Sequence, residues 1–257
     1  MNPPSENPLP DCIVFDLDST LAKSKQPIEN QMSTMLTKIV ERIKIAVTSG
    51  GKLEQLLKQV VDQFPKEADI SSIFLLPTSG AALYTYKNEK WTCVYEETLS
   101  PKEVEEIGNA IRIANDKTNT VDFSQKAYGK RIEFRGAQVS FSALGQEAPL
   151  DEKLSWDPTR AKRSALRNAL VPILKEYTVR IGGKTTIDIT KHGIDKAYGI
   201  RKLSEYLAIP IEKMRYVGDE LGEGGNDEVV IQTGIPTRAV TNPDDTLHYL
   251  ETLIKKA

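Results

Sequence analysis

The apolar run Ile13-Val14-Phe15 stops abruptly at Asp16-Leu17-Asp18-Ser19-Thr20, and this junction constrains the fold more than any other stretch. A short apolar run bounded by polar residues reads as a fully buried strand of a parallel sheet. In such sheets the chemistry gathers outside the carboxyl ends of the strands. If the strand period continues, Asp16 and Asp18 point to one side. Two like charges held that way need a cation or a shared proton between them, so the pair reads as a divalent-metal site. A strand followed by an Asx-type turn would use the same residue types, and the rest of the chain has to decide.

The grammar repeats far downstream. Met214-Arg215-Tyr216-Val217 stops at Gly218-Asp219, and Gly222, Gly224, Gly225, Asn226 and Asp227 follow as a glycine-rich acidic loop before Val229-Val230-Ile231. Alone, that loop also fits a strand-to-helix turn capped by Asn226 or Asp227. A third run, Ile43 to Val47, ends in Thr48-Ser49-Gly50-Gly51. Hydroxyls and backbone amides at the start of a helix suit an anion. Finally, Lys196 follows Gly193-Ile194-Asp195 and opens the helical pattern Ala197, Ile200, Leu203, Leu207.

In order and in type, these four segments resemble the motifs of the haloacid dehalogenase-like superfamily of phosphotransferases. The resemblance implies Asp16 as the nucleophile and Asp18 as general acid and base. It places Ser49, Gly50 and Lys196 on the transferring phosphate. Asp219 would join Asp16 and the Asp18 carbonyl on Mg2+, with Asn226 and Asp227 behind them. The residue types make chemical sense without the family. Phosphoryl transfer depends mainly on in-line positioning and on cancelling charge. An Asp nucleophile splits one displacement into two through an acyl phosphate, a second carboxylate can move the proton in each, and Mg2+ prefers one or two carboxylates plus substrate oxygens.

Composition narrows the class. With 257 residues and 39% hydrophobic content, the chain can build one large or two modest domains. A formal charge of -2 shows no basic bias, which argues against nucleic acid as a partner. Cys12 and Cys93 are the two cysteines and lack metal-ligand spacing, so a reducing, cytoplasmic setting is expected. No apolar run reaches membrane-spanning length. Residues 1–10 read as a polar, proline-rich disordered tail rather than a signal peptide.

Strand and helix alternate at first, with helices expected over 28–42 and 52–64. The pattern then changes. Leu83 to Tyr86 and Trp91 to Tyr95 read as an antiparallel hairpin, Pro101 opens a helix, residues 130–135 and 138–142 look extended, a helix is expected over 159–177, and two more strands follow to residue 189. The expected fold is therefore α/β: a Rossmann-like parallel-sheet core from 11–80 and 188–257, with residues 81–187 as an inserted α+β cap over the catalytic sheet. The basic stretch Arg160-Ala161-Lys162-Arg163 reads as a solvated helix face.

Within the cap, the sequence resembles the eukaryotic-type phosphomannomutases and their bacterial relatives. Ile132-Glu133-Phe134-Arg135 and Gly182-Gly183-Lys184-Thr185-Thr186-Ile187-Asp188 carry the match, implying that Arg135, Gly183, Thr186 and Asp188 contact substrate. One departure bears on the reaction: Gln146 stands where that family has an arginine for the distal phosphate. A neutral hydrogen bond to phosphate is weaker than a charge-assisted one. The expectation is thus a Mg2+-dependent phosphatase or phosphotransferase acting on a phosphorylated sugar. The alternatives are a mutase interconverting mannose 1-phosphate and mannose 6-phosphate, and a non-catalytic metal- or ligand-binding module. The resemblance also implies a homodimer formed through the cap.

Overall fold

The computed structural model describes residues 9–256, so most of the expected tail, residues 1–8, lies outside it. The chain forms two compact units, one running to Tyr95 and resuming at Asp195, the other Glu96–Ile194.

The first unit is built on seven strands: β1 (Cys12–Asp16), β2 (Lys44–Thr48), β3 (Ile73–Leu76), β4 (Ala82–Lys87), β5 (Lys90–Glu96), β10 (Met214–Gly218) and β11 (Thr237–Ala239). They form one sheet of order β11-β10-β1-β2-β3-β4-β5. Strands β11 through β3 are parallel, and β4 turns antiparallel against β3. The helices are α1 (Asn30–Val40), α2 (Leu53–Gln59), the single turn α3 (Pro77–Gly80), α7 (Lys196–Leu207), α8 (Glu228–Ile231) and α9 (Pro243–Lys256). Strand alternation sorts the apolar residues into two layers. Ile13, Phe15, Ile45 and Val47 pack with Leu36 of α1, Leu56 of α2 and Leu250 of α9. Cys12, Val14, Ala46 and Leu76 pack with Ile200 and Leu203 of α7 and Val230 of α8. A sheet covered on both faces needs near-continuous apolar strands, and β1 is buried along its whole length. Burial in that apolar setting pushes the Cys12 thiol up to about 12.

The second unit has four strands, β6 (Ile132–Phe134), β7 (Gln138–Ser142), β8 (Tyr177–Ile181) and β9 (Thr186–Lys191), joined in the order β6-β7-β9-β8. Helices α4 (Pro101–Thr118), α5 (Leu150–Trp156) and α6 (Ala161–Leu170) complete it. Val139, Phe141, Val179, Ile187 and Ile189 face Ile107 and Ile111 of α4 and Leu166 and Leu170 of α6. Ser100 starts α4 with a capping box, Pro101 at the first turn and Glu103 reaching back to the Ser100 amide at 2.7 Å.

Three expectations need correction. The hairpin read as the start of the cap belongs to the core sheet, because β4 registers on β3 through Phe74↔Thr85 and Leu75↔Tyr84. The unit boundaries fall at Tyr95/Glu96 and Ile194/Asp195 rather than at 81 and 187, since all of β9 is hydrogen-bonded into the second sheet. The helix expected over 159–177 is only Ala161–Leu170, and α5 precedes it without having been anticipated. Among the described residues, no helix is long and apolar enough to cross a membrane.

Candidate active site

β1 has β2 on one side and β10 on the other, so the strand order reverses beside β1. Such a switch point opens a crevice at the carboxyl ends of the strands. Asp16 is the last residue of β1, and Asp219 follows β10 directly, with Phe15 registered on Val217. Topology alone therefore brings together two acids that are far apart in sequence.

The third acid arrives through the glycine loop. Asp227 is fully buried and its amide bonds back to the Glu220 carbonyl at 3.0 Å. Asp227 Oδ2 accepts the Glu220 amide at 3.2 Å, and Oδ1 accepts the Tyr216 hydroxyl at 2.5 Å. Gly218 permits this seat, because a Cβ there would collide with Asp227 Oδ2 and the Tyr216 ring. One oxygen from each of Asp16, Asp219 and Asp227 lies within 4.8 Å of the others.

Lys196 enters as the first residue of α7, whose N-cap Asp195 accepts the Tyr198 amide at 3.0 Å. The helix is seated by a bare backbone crossing. A Cβ on Gly199 would clash with the Gly80 backbone, and one on Gly80 with Gly199. Lys196 Nζ donates to Asp16 Oδ1 at 2.7 Å, Asn226 Oδ1 at 2.6 Å and Asp227 Oδ1 at 2.6 Å. Burial works to lower the Lys196 pKa, but Asp16 and Asp227 outweigh it and hold the ammonium charged.

The charges in this set do not balance: two buried carboxylates and the half-buried Asp219 share one ammonium, which among these acids bonds only Asp16 and Asp227. Burial, together with Asp227 and Asp219, raises the Asp16 carboxyl well above its usual range against the pull of Lys196. Burial and Asp227 raise Asp219 to about 6, although the Thr20 hydroxyl donates to its Oδ1 at 3.1 Å. Uncompensated buried negative charge is costly, and a divalent cation is the group that would relieve it. The donor set fits such an ion.

Asp18 stands apart from the set. The chain leaves strand geometry after Asp16: Leu17 is buried, Asp18 forms an isolated bridge with Ala22, and Ser19 is left-handed at φ 66°. Asp18 Oδ1 instead accepts the Lys25 amide at 2.6 Å, so the strand period does not carry the second acid onto the first. Ser49 is buried, and its hydroxyl accepts the Gly51 amide at 3.1 Å. The Ser49 carbonyl takes the Ser79 amide and the Gly51 carbonyl the Thr78 amide, each at 2.8 Å. Thr78 and Ser79, both left-handed, thus tie the Gly50 loop to α3.

The recognition residues expected from the sequence lie in the second unit. Arg135 Nε donates to Glu133 Oε2 at 2.8 Å and its Nη2 to Gln146 Oε1 at 3.1 Å. Lys153 Nζ donates to the Gln146 main-chain carbonyl at 3.1 Å, so one cation meets the Gln146 side chain and a second its backbone. Across the sheet, Glu133, Ser140, Asp188 and Arg180 form one transverse row. Gly182 and Gly183 make the turn between β8 and β9, closed by Gly182 N to the Thr186 carbonyl at 3.0 Å.

Sequence reasoning missed Thr20, Tyr216, Lys153 and Arg163. Thr20 and Tyr216 looked like turn and core residues. Lys153 sits on the unanticipated α5. Arg163, read as solvated, is 4% exposed and bonded to Asp157. Asn226 and Asp227, expected behind the metal ligands, both accept hydrogen bonds from Lys196, and Asp227 joins the acids themselves.

A sequence model of the eukaryotic phosphomannomutases matches residues 32–256. The phosphomannomutase of Encephalitozoon cuniculi is 25% identical over 251 residues, covering 95% of this chain and 93% of its own. Phosphomannomutase 2 of Dictyostelium discoideum is 26% identical over 245 residues, covering 92% and 94%. Among solved structures, IMP-bound IMP-nucleotidase of Plasmodium falciparum aligns with a TM-score of 0.70 at 17% identity, over 96% of this chain and 68% of that one. A Thermotoga maritima protein aligns with a TM-score of 0.61 at 17% identity, over 95% and 97%. At such identities the solved structures speak for the fold alone.

Proposed function

Because this chain belongs to the eukaryotic phosphomannomutase family, we propose that it transfers a phosphoryl group on a phosphorylated sugar through Asp16, with Mg2+ as cofactor. The observation that carries the reading is the cluster of three carboxylates, with Asp16 and Asp227 buried and bonded to Lys196 and Asp219 half-buried beside them. Mg2+, held by Asp16 and Asp219, would supply the positive charge that lets a carboxylate approach a phosphate.

An Asp16 oxygen attacks phosphorus, the bond to the sugar oxygen breaks, and that oxygen takes a proton. We assign that proton to Asp18, whose Oδ1 is already fixed by the Lys25 amide, leaving Oδ2 for the transfer. Lys196 and Ser49 neutralise and orient the transferring group. In the second half, Asp18 takes the proton of the attacking hydroxyl, the acyl phosphate breaks, and Asp16 is regenerated. Arg135, Gln146, Gly183, Thr186 and Asp188 are the proposed sugar-phosphate contacts.

If a sugar hydroxyl attacks, the enzyme is a mutase; if water does, a phosphatase. The relatives are named for the mutase, and Lys153, on the Gln146 main-chain carbonyl, adds a second cation to Arg135 at the position where the resemblance leaves a neutral side chain. We therefore favour isomerisation of mannose 1-phosphate and mannose 6-phosphate. Hydrolysis stands second, on the strength of Gln146 itself, because a lysine point charge does not reproduce an arginine fork. Incubation with Mg2+ and mannose 1-phosphate, with and without a hexose 1,6-bisphosphate, distinguishes them. Mannose 6-phosphate without free phosphate is the expected result; free phosphate alone would establish the phosphatase.

A further inference from the structure

We propose that Arg163 is a positioning residue for substrate recognition, a buried latch that fixes the Gly182–Thr186 turn; this rests on the reading of that turn as a sugar-phosphate contact. Arg163 and Asp157 are 4% and 3% exposed. The Asp157 carboxylate accepts the Lys162 amide at 3.1 Å, the Arg163 amide at 3.0 Å and Arg163 Nε at 2.9 Å. Arg163 Nη2 donates to the Asp157 carbonyl at 2.9 Å. Those bonds lock the guanidinium to the start of α6. One arm is left over, and Nη1 donates to the Gly183 carbonyl at 2.8 Å.

That carbonyl is the hinge of the turn. It also accepts the Thr186 amide at 3.3 Å, so both its lone pairs are engaged. The adjoining Gly182 runs flush against Asp188, where a Cβ would collide with the Asp188 carboxylate. From the other side, Ala143 N donates to the Thr185 carbonyl at 3.0 Å and Thr185 Oγ1 meets Ser142 Oγ at 3.1 Å. Shifting the Gly183 carbonyl therefore shifts Gly183 and Thr186 together, beside an Asp188 that β7 and β8 hold in place. The docking of α6 on the sheet does not require this bond, because Leu166 and Leu170 already pack there with Val179 and Ile187. Burial works to raise the Asp157 carboxyl, but the amides and guanidinium of Arg163 outweigh it and keep the anchor charged.

Arg163→Lys separates positioning from folding, since lysine can meet Asp157 but has no second arm for Gly183. The probes are mannose 1-phosphate and p-nitrophenyl phosphate, which shares the phosphate and lacks the sugar. The expected result is a KM for mannose 1-phosphate raised about tenfold, as for one lost charge-assisted hydrogen bond, with kcat/KM for p-nitrophenyl phosphate unchanged. Amide hydrogen exchange should quicken within 182–186 while α6 stays protected. Equal losses on both substrates, or no change on either, would overturn the latch. A wild-type enzyme that cleaves p-nitrophenyl phosphate and leaves hexose phosphates untouched would instead overturn the sugar-phosphate reading, and the latch with it.

Discussion

The acidic carboxyl end of the seven-stranded sheet and the ion pairs of the second unit use charge in opposite ways. At the first, Asp16, Asp219 and Asp227 cluster and a single lysine bonds two of them, Asp16 and Asp227, leaving negative charge uncompensated. At the second, opposite charges are matched at close range: Arg135 lies 2.8 Å from Glu133 and Arg163 2.9 Å from Asp157. Unmatched buried charge makes a site whose completion by a cation is part of its stability. Matched charge makes a framework that can be held in shape before any ligand arrives. On the proposed function, chemistry belongs to the first region and selection to the second.

The sharpest way to break this contrast is Asp16→Asn. Loss of the nucleophile should lower kcat at least about 10^3-fold. Yet the metal-free protein should melt no lower than wild type, because one of three crowded carboxylates is removed. A fall in melting temperature would mean that the cluster is balanced after all. Lys196→Met should do the reverse to stability. With its ammonium gone, Asp16 and Asp227 lose their partner, and breaking such a buried pair costs about 3–5 kcal/mol. Denaturant melts would show this most clearly without metal, and added Mg2+ should restore part of it.

Metal and protons should compete at the same acids. The Asp219 carboxyl, raised to about 6 in the fold, binds its proton more tightly folded than unfolded. Its contribution to stability is present below the unfolded pKa and is lost as pH rises through about 6. Metal-free protein should therefore lose stability between roughly pH 4 and pH 6, and Asp16, also raised, acts in the same direction. The rise in melting temperature on adding Mg2+ should be larger at pH 7 than at pH 5, because fewer protons must be displaced. A Mg2+ shift independent of pH would separate the metal from these carboxylates.

These two regions were unequally legible in the sequence. Asp16, Asp219, Ser49 and Lys196 each follow a recognisable strand end or helix start, and the continuous apolar runs before them mark the buried strands that carry them. Asp18 did not follow, because Ser19 takes a left-handed conformation and bends the chain out of the strand. Nor did Tyr216: an apolar strand position gives no sign that its hydroxyl will find Asp227. In the second unit the strands were readable from alternation, but Lys153 and Arg163 were not. Their roles depend on how α5 and α6 are placed, and the start of α6 is set by Asp157 collecting two backbone amides and a guanidinium, a tertiary arrangement that no local pattern announces. The β4–β5 hairpin was seen correctly and assigned to the wrong sheet, since alternation identifies a strand without naming its neighbour.

The smallest expected effect tests the matched region. Gln146→Arg restores the arginine implied by the family resemblance and places a third cation near Arg135 and Lys153. It also removes the Gln146 Oε1 acceptor that Arg135 now uses at 3.1 Å. Without ligand, like charges should lower the melting temperature slightly, by less than about 1 kcal/mol in stability for a partly exposed site. A bisphosphorylated sugar should reverse that loss, because its distal phosphate supplies the missing anion. The KM for hexose 1,6-bisphosphate should fall by up to about tenfold, and the ratio of mannose 6-phosphate to free phosphate should rise. If the ratio stays constant while Lys153→Met lowers it, the lysine already holds the distal phosphate and Gln146 is its neutral spacer. If neither change moves the ratio, this corner does not meet the phosphate, and the choice between water and a sugar hydroxyl is made elsewhere in the molecule.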